Sequence, residues 1–586
     1  MTSRDTTDYT GLVYFVASVV MLSASRTCIR AFSTKQIRTS VSVNINVQSS
    51  KLTPPVAKRL KENVYFGINP KDEEEFRGEN AMNPPKVRED LYYWLRDDTR
   101  KKPEVINHLK AENSYAESQT EHLQGLRDDL YNEMLAHLKE TDEDVPHRDG
   151  EFYYYSKTVQ GKSYKIHCRK PLTSEEETVV IDENKLAEGH EYSDMSTYSL
   201  SPSHTKVAYS IDHSGYETYD VRFIEDIASG SESADVIHDV DGDITWGADD
   251  TALFYLKMDE EHRPYKLFMH ILGTNQSEDV CLFTEEDQMF WMQAGKTADD
   301  KFLVINTSSK ETSEVHVINL QGIVGAAGHR NAAQNKVCIR AREFGVRYDV
   351  EHHEGKFCVV TNADGAKNNK LSFCPVSNYF DERTGLPLAT PIVQFEDLKK
   401  YTPSEQIDEI IPFKSFIAVF GREDGIQRLW IVNQVQNSAD IGKWTAVPFS
   451  EVAYSLWAGD NCVYDSKTLR LGYSSLLTPK QVIDYNMETG EKVVLKQVEV
   501  PHYQQDQYEC RRIFATAQDG AKVPLNMVFS KKVLAQGGLL KDRPVLLYGY
   551  GSYGACIDPS FDFKRLSLLD RGVIYIIANI RGIVVV

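Results

Sequence analysis

The residues best suited to chemistry lie in one short loop, Tyr548-Gly549-Tyr550-Gly551-Ser552-Tyr553-Gly554. Its three glycines within six positions permit positive φ and close backbone approach to a ligand, and its three tyrosines offer hydroxyl donors. A tight, aromatic-packed turn is the competing reading. Ser552 is a tempting nucleophile, but Tyr550 rather than glycine stands two positions before it, and no G-x-S-x-G occurs anywhere in the chain. It is not expected to attack. His352 and His353 adjoin Glu351 and Glu354 without a second cluster at metal-ligand spacing, so a polar loop is expected there and no metal or other cofactor.

The elements around this loop fall into three textures. From about Pro84 to Glu140 the pattern is helical, with Leu123, Leu126, Leu130, Met134 and Leu138 at three- and four-residue spacing and Pro103 where a first helical turn tolerates it. After Pro146, short β-branched or aromatic runs alternate with Gly, Asp and Asn turns until about residue 500. Clusters of such runs begin near Phe152, Ser199, Ile244, Met292, Tyr348, Ile407 and Tyr454, the spacing of a β-propeller. Seven blades fit best, because radial repetition leaves only short, protected sheet edges; six or eight remain compatible. Beyond residue 500, Ile513 to Ala517 and Val523 to Phe529 read as a hairpin around Asp519-Gly520. Pro544 to Tyr548 is a short apolar strand running into the loop, the place where α/β-hydrolases put part of an oxyanion hole. Val573 to Ile580 is a near-continuous apolar run, as expected of a strand buried on both faces of an α/β sheet.

Composition narrows the class. With 586 residues, 41% hydrophobic and 26% charged, the chain has material for a large core and is no disordered protein. The formal charge of −20 repels polyanions, which excludes nucleic acid as a partner class, and attracts cationic peptides. Nine cysteines without a C-x-x-C pair read as reduced thiols. The one apolar stretch near the start, Gly11 to Leu22, is shorter than the ~20 residues of a membrane span. The Arg- and Ser-rich, acid-poor segment from Met21 to Arg38 resembles a mitochondrial presequence, with a secretory signal as the rival. A cytosolic or mitochondrial-matrix location is expected, with about the first 60 residues a targeting or disordered tail.

Three ordered segments resemble the oligopeptidase B branch of the prolyl oligopeptidase family of serine peptidases. They are Asp90-Leu91-Tyr92-Tyr93-Trp94-Leu95-Arg96-Asp97-Asp98 with Glu112-Asn113-Ser114-Tyr115, then Tyr548 to Gly554 with Asp558-Pro559-Ser560-Phe561, then Leu569-Asp570-Arg571-Gly572-Val573 running to Arg581-Gly582. The resemblance implies a mixed fold: a seven-bladed propeller (143–503) joined to an incomplete α/β-hydrolase domain built from N-terminal helices (61–142) and a C-terminal segment (504–586). It implies cleavage of short peptides after Arg or Lys, with Tyr550 donating its hydroxyl to the tetrahedral oxyanion and Tyr553 near the substrate pocket. The Arg96-Asp97-Asp98 ending disfavours prolyl specificity.

Where family members continue towards Gly-Gly-Ser-x-Gly-Gly, this chain reads Ile583-Val584-Val585-Val586. The family's serine, aspartate and histidine follow that point, so the chain is expected to be inactive as given, cut off before its nucleophile. The strand from Pro544 to Tyr548 is expected to be an exposed apolar edge and an aggregation site. The alternative is a non-catalytic propeller that binds peptides or proteins. Oligomeric state is open.

Overall fold

The computed structural model describes residues 53–70, 81–435, 441–535, 543–551 and 556–580. The chain divides into two compact units, Met1–Asn132 and Glu133–Val586.

In the first unit, strand β1 (Glu62–Phe66) pairs antiparallel with β2 (Lys86–Asp90) in the register Glu62↔Asp90 to Phe66↔Lys86. The helical pattern expected from Pro84 therefore begins too early. Lys86–Asp90 is a strand because β1 offers its backbone partners, and Tyr93–Leu95 is a single 3-10 turn. Trp94 is buried, and its indole N–H donates to the Lys58 carbonyl at 2.8 Å. Asp97 accepts the amides of Thr99 and Lys101 at 3.2 and 2.7 Å, which turns the chain towards helix α1 (Pro103–Thr120). Pro103 takes the first helical turn, where its missing N–H leaves no bond unmade. Helix α2 (Gln124–Ala136) follows, with Leu126 of the expected stripe exposed.

The second unit contains seven successive antiparallel sheets of four or five strands over 142–182, 194–240, 244–284, 291–340, 348–399, 405–446 and 454–497. Each is a meander in which neighbours in sequence are neighbours in space, with one extra short strand in the first. Their starts lie close to the seven cluster starts read from the sequence. The fourth sheet contributes β3 (Ser313–Asn319) and β4 (Lys336–Arg340); the sixth contributes β5 (Phe416–Glu423) and β6 (Ile426–Asn433).

A sheet with two apolar faces must cover both, and each pair of consecutive sheets here shares one apolar cluster. Val180, Ile181, Val207 and Tyr209 join the first to the second; Trp246, Tyr255, Val221 and Phe223 join the second to the third. The series continues to the sixth and seventh, joined by Phe420, Leu429, Tyr454 and Leu471. Each fully buried aliphatic or aromatic side chain contributes about 1.5–3 kcal/mol, so these interfaces order the sheets. The first and seventh sheets meet differently, through polar bonds: Lys496 Nζ to Asp142 at 2.6 Å and Arg470 Nη1 to the Pro146 carbonyl at 2.6 Å.

An eighth, mixed sheet follows. Strands β7 (Tyr508–Thr516) and β8 (Lys522–Ser530) form the expected hairpin, with Gly520 at φ +88° in its turn. Strand β9 (Val545–Gly549), helix α3 (Leu566–Asp570) and strand β10 (Ile574–Ala578) complete the spatial order β7-β8-β10-β9, with β10 antiparallel to β8 and parallel to β9. Leu476 of the seventh sheet packs with Tyr508, Val528, Leu566, Leu569 and Ile577 of this segment. β9 lies at the sheet edge, with Val545 and Leu547 exposed, as the sequence predicts.

His352 and His353 correct the sequence reading. They end the strand Tyr348–His353 and are buried, not part of a polar loop. The period-2 pattern is obscured there because a carboxylate from a turn of the neighbouring fourth sheet satisfies a histidine: His352 Nδ1 lies 2.7 Å from Asp299 Oδ2. Burial pushes the Asp299 carboxyl up, but the bond and charge of His352 outweigh it and hold the pKa at about 2. A depressed folded-state pKa stabilises the fold above the unfolded value, and that contribution is lost as pH falls. Asp299→Asn is expected to cost about 2 kcal/mol well above the unfolded value. The gap from the parent should close as pH drops from 3.8 towards about 2. Urea unfolding across that range measures it; a gap independent of pH would remove the carboxylate from this role.

Candidate functional site

The site is built on the parallel pair in the eighth sheet. β9 pairs with β10 from Val545↔Ile574 to Gly549↔Ala578, and the glycine-rich loop leaves from its carboxyl end. Gly549 lets the two strands converge: a Cβ there would sit 3.3 Å from the Ala578 carbonyl oxygen and 3.5 Å from its Cβ. Tyr550 comes next, 41% exposed, its hydroxyl without a hydrogen-bond partner among the described residues. Ser552 and Tyr553 lie outside the described residues, as do Arg581 and Gly582.

The returning segment is tied down at two consecutive residues. Asn579 Nδ2 donates to the Ile557 carbonyl at 3.0 Å, while its Oδ1 accepts from Asn526 Nδ2 of β8 at 2.9 Å. Asn579 is fixed in turn by its own N–H, which donates to the Pro524 carbonyl at 3.0 Å. Asp558 accepts both Nη groups of Arg422 at 2.8 and 3.2 Å and Gln427 Nε2 at 3.0 Å. Arg422 belongs to β5 and Gln427 to β6, so the sixth sheet grips the segment that follows the loop. Burial disfavours the Arg422 cation, yet hydrogen bonds and charge from Asp558 and the charge of Asp408 outweigh it and raise its pKa. Such a fork-to-carboxylate bond fixes orientation as well as distance. Further along, the Phe561 N–H donates to Ser474 Oγ at 3.0 Å.

Arg422, Gln427, Arg512, Asn526, Asp558 and Asn579 line a cleft of about 10 Å³, room for about one water. That is below the ~300–1,000 Å³ of ordinary ligand pockets, so the cleft is a packing seam that holds the loop and no substrate chamber. The arrangement can present one phenol hydroxyl beyond the carboxyl end of a parallel strand, where open α/β sheets bind ligands. Among the described residues no serine hydroxyl is hydrogen-bonded to a histidine.

Sequence reading singled out Tyr550 as a candidate and missed the contacts that hold the segment after its loop. Arg422 and Gln427 lie more than a hundred residues before Asp558, and no local pattern links them. Asp558-Pro559 belongs to the second of the segments that carry the family resemblance, and its acidic residue is the available signal. Also unforeseen are Glu314, His316 and Cys338, whose potential ligand atoms lie within 4.8 Å of one another in the fourth sheet.

Comparison with known proteins agrees with this architecture. The family model described as "Prolyl oligopeptidase, N-terminal beta-propeller domain" matches residues 71–498. Protease 2 of Moraxella lacunata is 32% identical over 505 residues, which cover 85% of this chain and 68% of that protein. Dipeptidyl aminopeptidase BI of Pseudoxanthomonas mexicana is 32% identical over 515 residues, 84% of this chain and 66% of the relative, so the chain spans about two thirds of these proteins' length. Among solved structures, oligopeptidase B from Leishmania major superposes with a TM-score of 0.80 at 35% identity, covering 91% of this chain and 72% of that one. Oligopeptidase B from Trypanosoma brucei does so with a TM-score of 0.80 at 36% identity, covering the same shares. A family model matching well over half the chain, and a relative at this identity over most of its length, lead to one conclusion: the chain belongs to the prolyl oligopeptidase family of serine peptidases.

Proposed function

We propose that this chain carries the propeller and the oxyanion-stabilising part of an oligopeptidase B-type serine endopeptidase that cleaves short peptides after Arg or Lys. The observation that carries the reading is Tyr550, half-exposed and unbonded among the described residues, set just beyond the carboxyl end of β9. A donor aimed at charge that develops on the carbonyl oxygen stabilises the transition state more than the ground state. Tyr553 is assigned to the substrate pocket beside it.

The seven sheets are the blades of a seven-bladed propeller, and the polar contacts between the first and seventh close its ring. The helices before it and the eighth sheet after it belong to the α/β-hydrolase domain. The propeller restricts access by size, and the charge of −20 favours cationic peptides. The Arg- and Ser-rich segment at Met21 to Arg38 supports a mitochondrial-matrix or cytosolic location. Among the described residues no helix is long and apolar enough to cross a membrane.

Within these 586 residues the hydroxyl that must attack has no G-x-S-x-G elbow to sit on. Without a Ser–His pair it cannot shed its proton near neutral pH, so this polypeptide alone is inactive or shows only trace turnover. The same absence favours a second reading, a peptide-binding scaffold.

Fluorogenic dibasic peptides separate the two. The chain as it stands is expected to be inactive, and one extended through the family's Ser-His-Asp set is expected to cleave after Arg or Lys. Inactivity of both would favour the scaffold, and equal activity of both would contradict the assignment of chemistry. Arg422→Met is expected to destabilise the chain by about 2 kcal/mol, less than the ~3–5 kcal/mol of a fully buried pair. The discount follows because the two side chains keep 16% and 26% exposure. Amide exchange at 556–561 should accelerate in the same variant; unchanged exchange there would show that Asp558 is held by something else.

A further inference from the structure

We infer that Glu314, His316 and Cys338 form a binding site for one zinc-like divalent ion on the fourth sheet. Strand geometry brings them together. Glu314 and His316 stand two apart on β3 and so project from one face, the half-buried one, while Ser313, Val315 and Val317 fill the buried face. Cys338 on β4 is the direct cross-strand partner of His316. The potential ligand atoms of the three lie within 4.8 Å of one another.

A second observation points to a ligand. His316 Nδ1 is buried and has no hydrogen-bond partner, the orphaned state that a metal bond relieves. The tilted Phe283 ring, 4.7 Å away between centroids, shields the imidazole on one side.

Of the two cations facing the cluster, Lys336 is committed elsewhere and Arg342 is shared between Glu285 and Glu314. Lys336 Nζ lies 4.2 Å from the Phe283 ring centroid and donates to the Leu282 carbonyl at 3.2 Å. Arg342 gives two bonds to Glu285 at 2.6 and 3.4 Å, and its remaining approach to Glu314 is 3.5 Å. Glu314 Oε2 is steadied by the Arg342 backbone N–H at 2.9 Å, and its Oε1 lies 3.8 Å from His316 Nε2, the ring's other nitrogen.

One imidazole nitrogen, one thiolate sulfur and one carboxylate oxygen are borderline-soft donors, the set that suits zinc. Ligand atoms on a tetrahedral ion with bonds of ~2.0–2.3 Å stand roughly 3.5 Å apart, so closure from the present spacing requires side-chain rotation and no strand movement. On binding, the Cys338 S–H bond breaks, its proton leaves to solvent and an S–metal bond forms; nothing is oxidised or reduced. Thiolate and carboxylate then cancel the dication, so the filled site is neutral. The fourth position is left for water. A bound ion would staple β3 to β4.

Cobalt(II) is the probe, titrated into the metal-free chain and then displaced by zinc. One equivalent is expected to give a tetrahedral visible spectrum with a thiolate charge-transfer band. Cys338→Ser should abolish that band, and His316→Gln and Glu314→Gln should each weaken binding by at least about 100-fold. Cys281→Ser, an exposed thiol on the neighbouring sheet, should leave the band unchanged. A band that persists in Cys338→Ser, or that never appears in the folded parent, overturns the site. Should Cys338→Ser fail to fold, loss of cobalt binding in His316→Gln with unchanged circular dichroism supports it, and full binding there refutes it.

Discussion

The bidentate bond between Arg422 and Asp558 is the interaction on which the site depends. A loop presents a group accurately only when both its ends are held. One end here is held by a strand, since β9 is locked in parallel register with β10. The other end has no sheet of its own. It is held at Ile557 by Asn579 and at Asp558 by a guanidinium from another part of the fold. Removing either clamp leaves Tyr550 on a loop fastened at one side.

That guanidinium is dependable because the sheet beneath it is rigid. β5 is almost entirely buried, and its partners in the sixth and seventh sheets form one continuous apolar cluster. The apolar chain then passes from Leu476 to Tyr508, Val528 and Ile577, so the sheet that carries the loop and the sheets that brace it share packing as well as an ion pair. Dispersion and burial set the positions, and the ion pair sets the orientation. The polar contact between the first and seventh sheets has a different character. Lys496 and Arg470 reach across to Asp142 and Pro146 where every other neighbouring pair shares apolar side chains.

Much of the fold was legible in the sequence because the β-strands are short, apolar and punctuated. Val207-Ala208-Tyr209-Ser210 and Leu253-Phe254-Tyr255-Leu256 are buried strands within the clusters that begin near Ser199 and Ile244, and the hairpin around Gly520 follows from its Asp-Gly turn. The failures share a cause. Lys86–Asp90 reads as polar helix because its strand character comes from pairing with a segment more than twenty residues earlier. His352 reads as part of a loop because its burial depends on Asp299, which arrives from another sheet. Tyr550 was visible since its neighbours are local, whereas Arg422, Asn526 and Asn579 were invisible since theirs are not. Glu314 and His316 were two residues apart in plain view, but their relation to Cys338 exists only through strand register.

Chemically, the described part of the chain presents one unbonded phenol hydroxyl beyond the carboxyl end of a parallel strand, and the proposed function sets it to stabilise charge on a carbonyl oxygen. The most direct measurement replaces Tyr550 with Phe in a chain extended through the Ser-His-Asp set, which removes one oxygen atom and leaves the ring. The account predicts a fall in kcat of about 10²–10³-fold with KM little changed, the signature of an interaction made only in the transition state. An unchanged kcat, or a rise in KM alone, would contradict it.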